Sequence, residues 1–167
     1  MIEGKRYCLD TSGLSNPLES MPENILMYQH IWSHIKTQID SGIFAVNEEI
    51  YQELCRLPGR IGECLNNNKE KLVLEIGESW NWQRYLEIVE EMRNMYKSVI
   101  SEYNGNRKGT VGLNDVSIVA LAKCLGLPLI SMESRPYQPS DTKVRIPTLC
   151  DLEGVEHISF NDFLGRV

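Results

Sequence analysis

The apolar positions of this chain fall into short continuous runs separated by longer stretches with helical spacing. RYCLD at 6–10, IFAV at 43–46, LPLISM at 127–132 and VEHIS at 155–159 are the short runs. Each suits a buried strand and is too short for a helix. Between them, Ile25, Tyr28, Trp32, Ile35 and Ile39 predict a helix over 23–39 that ends at Asp40, Ser41 and Gly42. Asn47 predicts a cap for a helix with Ile50, Leu54 and Leu57 on its core face, stopped by Pro58-Gly59. A short amphipathic piece at 61–65 and a polar break at 66–71 follow, and 73–76 fits either a strand or a loop. Ser79 predicts the cap of a long helix over roughly 80–100, with a stripe of Trp82, Leu86, Val89, Tyr96 and Val99. Residues 103–112 read as a loop. Asn114 then caps an almost wholly apolar helix at 115–125, closed by Gly126. TSGLSNP at 11–17 reads as a turn, 134–142 as a loop, 143–147 as extended chain and 160–166 as a terminal helical turn.

Strands alternating with helices predict an α/β fold: three α/β/α layers around a central, mainly parallel sheet. The 167 residues fit one domain, 1–167. Hydrophobic residues make up 42% and charged residues 24%, which excludes a wholly disordered, collagen-like or coiled-coil chain. No apolar run approaches the ~20 residues of a membrane helix. The start, MIEGKRYCLD, lacks the apolar stretch of a signal peptide, so the expectation is a cytoplasmic protein without membrane contact. The net charge is −6. A nucleic-acid partner therefore needs a local basic groove, a divalent cation, or both. The five cysteines include no CxxC pair and predict reduced thiols, several of them buried.

Parallel α/β sheets place their sites beyond the carboxyl ends of the strands and at the starts of the following helices. That rule selects Asp10 at the end of the first strand, Asp115 at the start of the apolar helix and Glu133 just after the third strand. Glu53 flanks the buried stripe of its own helix and can point to the same edge. Each acid alone has an ordinary reading: a turn residue, a partner of the helix dipole, or a solvated side chain. Together they repel one another unless a cation binds. Their hard oxygens suit Mg²⁺ or Mn²⁺, ions that promote phosphodiester hydrolysis.

These residues resemble the PIN-domain nuclease family, many of whose members are toxin ribonucleases. YCLDTSGL at 7–14 is similar to its opening strand, which ends in Asp and a small hydroxylic residue. IFAVNEEIYQEL at 43–54 places Glu53 in the position of its inward Glu. LNDVSIVALAKCLGLPLI at 113–130 supplies Asp115 at the start of a buried helix. ISMES at 130–134 supplies Ser131 and, where the family usually has Asp, Glu133. The resemblance spans 7–133, and the tail looks like that of a PIN-like branch. It implies an Mg²⁺- or Mn²⁺-dependent endoribonuclease, with Asp10, Glu53 and Asp115 holding metal and Glu133 assisting. Thr11, Ser12 and Ser131 would orient water or substrate. Arg107, Lys108 and Arg135 would contact RNA phosphates. A neutralising antitoxin and a homodimer are the partners the resemblance implies.

Other readings compete. A catalytically silent PIN-like interaction module needs no metal. A phosphatase with Asp10 as nucleophile lacks a second Asp two residues on, where Ser12 stands. His30 and His34 could hold zinc, but HIWSH lacks the glutamate of HExxH, and the pair more simply brackets Trp32. Trp32, Trp80 and Trp82 sit at helical spacing and read as core residues before base-stacking ones.

Overall fold

The computed structural model describes residues 2–135 and 143–167. Among them, four strands form one parallel sheet in the order β2-β1-β3-β4. The strands are β1 (Tyr7–Leu9), β2 (Phe44–Ala45), β3 (Leu129–Ile130) and β4 (His157–Ile158). Cys8 stands at the centre, paired with Ala45 on one side and Leu129 on the other. β1, β2 and β3 are buried along their whole length, as their uninterrupted apolar runs require of strands covered on both faces.

The helices are α1 (Ser12–Ser20), α2 (Leu26–Asp40), α3 (Glu48–Leu54), α4 (Gly59–Asn67), α5 (Lys69–Leu72), α6 (Trp82–Met95), α7 (Ser101–Asn104), α8 (Leu113–Leu125), α9 (Ile146–Glu153) and α10 (Phe160–Leu164). They flank the sheet in a three-layer α/β/α arrangement. The β1–β2 and β3–β4 connections step in opposite directions along the sheet, so right-handed crossovers put their helices on opposite faces. On one side Trp32 of α2 stacks on Phe160 of α10 at 5.6 Å, and Phe163 meets Tyr7 and Phe44. On the other, α8 packs against α6, α9 and β1. The expected central helix is α8, in which every residue from Val116 to Ala122 is buried.

Several expectations change. The turn at 11–17 is helix α1, which carries Pro17 inside it and buries Gly13, Leu14 and Pro17 as one face. The polar break at 66–71 contains α5, because buried Asn68 donates to Asp40 Oδ1 (2.9 Å) and the Cys64 carbonyl (2.8 Å) and joins α4 to it. Val73 resolves the ambiguity at 73–76 as a single parallel bridge to Val46. The long helix is shorter than 80–100, and a 3-10 turn at Lys97–Val99 follows it. Asn81, not Ser79, precedes it, and no side chain among the described residues caps it. Its stripe is also rotated: Tyr85, Ile88 and Met92 are buried, whereas Leu86 is 43% exposed. α7 occupies the start of the expected 103–112 loop. Of the expected extended chain at 143–147, Ile146 and Pro147 instead open helix α9, with Pro147 in the first turn and Gly154 left-handed beyond the end (φ 69°). α8 starts two residues early, with Gly112 rather than Asn114 at its cap. Of the expected 134–142 loop, residues 136–142 lie outside the described residues. No helix among the described residues is long and apolar enough to cross a membrane.

Candidate active site at the carboxyl edge of the sheet

From β1 the chain runs out to β2 on one side, and from β3 to β4 on the other. The crevice between the carboxyl ends of β1 and β3 is therefore the topological switch point, where open α/β sheets bind their ligands. Asp10 directly follows β1 and Ser131 directly follows β3.

Asp10 is 5% exposed, and its backbone N–H donates to the Ile130 carbonyl at 2.9 Å. Its Oδ2 accepts from Ser12 Oγ (2.6 Å) and Ser12 N–H (3.1 Å). Burial pushes its pKa up to about 6, the Ser12 bonds oppose the rise, and the charges of Glu133 and Glu53 add to it. Asp115 is the third residue of α8, and its Oδ2 accepts from Gly112 N–H at 2.8 Å across the first turn. Burial pushes its pKa up to about 7, against the Gly112 bond and reinforced by Glu133, Asp10 and Glu53. Asp10 and Asp115 thus each lie within electrostatic reach of Glu53, of Glu133 and of each other.

Glu53, half-buried on α3, accepts from Thr11 Oγ1 at 2.9 Å. Glu133 accepts at Oε2 from Ile146 N–H (3.0 Å), so its carboxylate also serves the start of α9. Ser131 is fully buried. Its Oγ accepts from Glu133 N–H (3.1 Å) and lies 3.4 Å from Ser12 Oγ, which accepts from Met132 N–H (3.1 Å). Ser12 and Ser131 therefore tie the start of α1 to the chain leaving β3, next to Asp10. Their bonds suit a positioning role.

Arg107 and Lys108 are exposed in the turn before α8, and neither forms an ion pair among the described residues. Arg135 is exposed and pairs with Asp151 at 2.7 Å. His30 is exposed and His34 half-buried on α2. All five cysteines are free thiols, with Cys8 and Cys150 buried. Trp32 is core, and Trp80 and Trp82 are partly exposed. Among the described residues, no group of three or more His, Cys, Asp or Glu is arranged to hold one metal ion as it stands. The Glu133 bond to α9 and the Asp115 bond to Gly112 hold those carboxylates to the backbone.

Sequence reasoning saw Asn47 only as a cap. It is also a buried joint. Its Oδ1 accepts from Ile50 N–H (3.1 Å), and its Nδ2 donates to Ser117 Oγ (2.9 Å) and Tyr85 Oη (3.2 Å). Asn47, Tyr85 and Ser117 also line a pocket of about 450 Å³ beside α3 and α6. A larger cavity of about 590 Å³, near Pro22 and Arg60, contains none of the four acids.

A family model described as a domain of unknown function, DUF4411, matches residues 7–167. The chain belongs to this family. No curated protein matches it. The DUF4411 match begins at the first residue of β1 and runs past α10, so it takes in all four candidate acids and every strand of the sheet.

Proposed function

We propose that this DUF4411 protein is a divalent-metal-dependent, PIN-like endoribonuclease that hydrolyses RNA phosphodiester bonds. The pair Asp10 and Asp115 at the switch point carries the reading, because both carboxyls are raised by burial and by the charges of Glu53 and Glu133. An acidic cluster of this kind is unfavourable without a cation, and its all-oxygen donor set fits Mg²⁺ or Mn²⁺. Asp10, Glu53 and Asp115 would hold the ion, with Glu133 beside them. When bound, it would lower the pKa of water and neutralise charge on the phosphoryl group.

The chain's own groups prepare the site. Ser12 fixes Oδ2 of Asp10, and Gly112 N–H fixes Oδ2 of Asp115. The other oxygen of each accepts no hydrogen bond among the described residues. Thr11 holds one oxygen of Glu53. Arg107 and Lys108, close before Asp115 in sequence, offer positive charge to phosphates that the acidic remainder of the molecule repels. On the PIN resemblance, the protein would act as the toxin of a toxin–antitoxin pair.

The test is RNA cleavage with Mn²⁺ or Mg²⁺. Asp10→Asn and Asp115→Asn should each abolish it while thermal unfolding stays cooperative. Undiminished cleavage in both variants rejects the site. A second reading, a silent interaction module, draws on the same geometry, since the acids do not yet form an ion cage and Glu133 is held by α9. That module would show no Mn²⁺-dependent thermal shift, whereas the enzyme would.

A further inference from the structure

We infer that Asn47 is a positioning residue whose buried amide pins the helix carrying Glu53 to the helix carrying Asp115. The inference rests on the metal-site reading above. Asn47 leaves β2 and caps α3, the helix on which Glu53 lies. The same side chain donates to Ser117, two residues beyond Asp115 on α8, and to Tyr85 on α6. Ser117 Oγ passes the chain on to the Asn114 carbonyl at 2.9 Å, in the first turn of α8. Three elements therefore meet at one amide, and two of them carry candidate ligands.

The chemistry at this joint is more specific than packing requires. Asn47, Tyr85 and Ser117 are 3%, 5% and 7% exposed. A serine or aspartate would cap α3 as well, and apolar side chains would fill the α6–α8 contact. Apolar contacts allow neighbouring helices to slide, whereas an amide with both N–H groups and its oxygen engaged fixes their register. At a site where carboxylates from α3 and α8 share one ion, that register sets the ligand spacing. Partners bonded directly to metal ligands typically change metal affinity by about 10–100-fold when removed, which bounds from above the effect of this more remote joint.

The test titrates Mn²⁺ into the whole protein by calorimetry. Asn47→Ser keeps the cap and loses the two amide bonds. Ser117→Ala removes one hydroxyl and keeps the test available if the first variant does not fold. Both should weaken Mn²⁺ binding measurably, by up to about tenfold. Asn68→Ala is the control, because it removes two comparable bonds beside Asp40, before β2 and so at the opposite edge of the sheet. It should lower the melting temperature and leave Mn²⁺ affinity unchanged. Unchanged affinity in the first two variants, or an equal loss in Asn68→Ala, overturns the pinning role while wild-type binding persists. If the unaltered protein binds no Mn²⁺, the metal-site reading itself falls and takes the pinning role with it.

Discussion

The Lys5 ammonium, just before β1, is half-buried and donates to three backbone carbonyls: Gly42 (3.0 Å), Phe44 (2.7 Å) and Lys71. Its three donors match three acceptors, and burial holds its pKa below the ordinary lysine value. One cation thus ties β1 to β2 and α5. Lys5→Met keeps the stem and removes the charge, and should cost about 1.5–3 kcal/mol, the usual worth of a hydrogen bond to a charged group. Denaturant unfolding measures it, and an unchanged midpoint would mean that water replaces the ammonium freely. The sequence showed Lys5 only as a basic residue near the amino end. The places of Asp10 and Asp115 in the fold were legible from local pattern: one directly follows a strand and the other lies in the first turn of a buried helix. Asn47 was half legible. A cap is local, but its amide partners lie 38 and 70 residues away, at a distance no periodicity reports.

At the scale of elements, the strands and α8 were readable because continuous apolar runs and full burial leave little choice of conformation. α1 was not, since Gly13, Asn16 and Pro17 are turn formers and tertiary packing overrode them. α9 carried its own signals, proline just inside the start and glycine just past the end, beneath residues that also suit an extended chain. The phase of α6 was misjudged because apolar residues occupy adjacent faces, and only docking against α8 selects Tyr85, Ile88 and Met92. The packing of α1 makes a prediction of its own. A Cβ on Gly13 would lie 3.0 Å from the Ile130 carbonyl oxygen and 3.0 Å from Leu9 Cδ1. The carbonyl cannot turn aside, because it accepts the Asp10 N–H that holds β1 to β3. Gly13→Ala should therefore destabilise the fold by about 1–3 kcal/mol, in the range of overpacking. A gain in stability, as expected for alanine in an unconstrained helix, would show that α1 moves freely on the sheet.

For the whole molecule, gathering carboxyls at one edge gives the metal-free stability an inverted pH dependence. Folding raises Asp10 to about 6 and Asp115 to about 7, from ordinary values of 3.8. Through that interval the folded chain holds more protons than the unfolded chain, so the contribution of these groups is lost as pH rises through 6 and 7. Surface carboxylates such as Glu156, whose pKa is lowered by its bond to Arg166, act the other way and lose their contribution only as pH falls lower still. His157 also opposes the trend. Burial lowers its pKa and its Nε2 has no partner among the described residues, so acid protonates it more readily in the unfolded chain. The informative quantity is therefore a difference between variants, in which His157 and Glu156 cancel. At about pH 8, Asp10→Asn and Asp115→Asn should each melt above the wild type, by about 2–4 °C for every kcal/mol relieved. At about pH 5 the gap should narrow sharply, because the wild-type carboxyls then carry their own protons. Mn²⁺ should raise the wild-type melting temperature more at the higher pH, since it binds deprotonated carboxylates, and should leave both variants nearly unmoved. Wild type and variants that melt in parallel across the range would show that these acids are solvated independently, and the electrostatic case for a shared cation site would fall with that result.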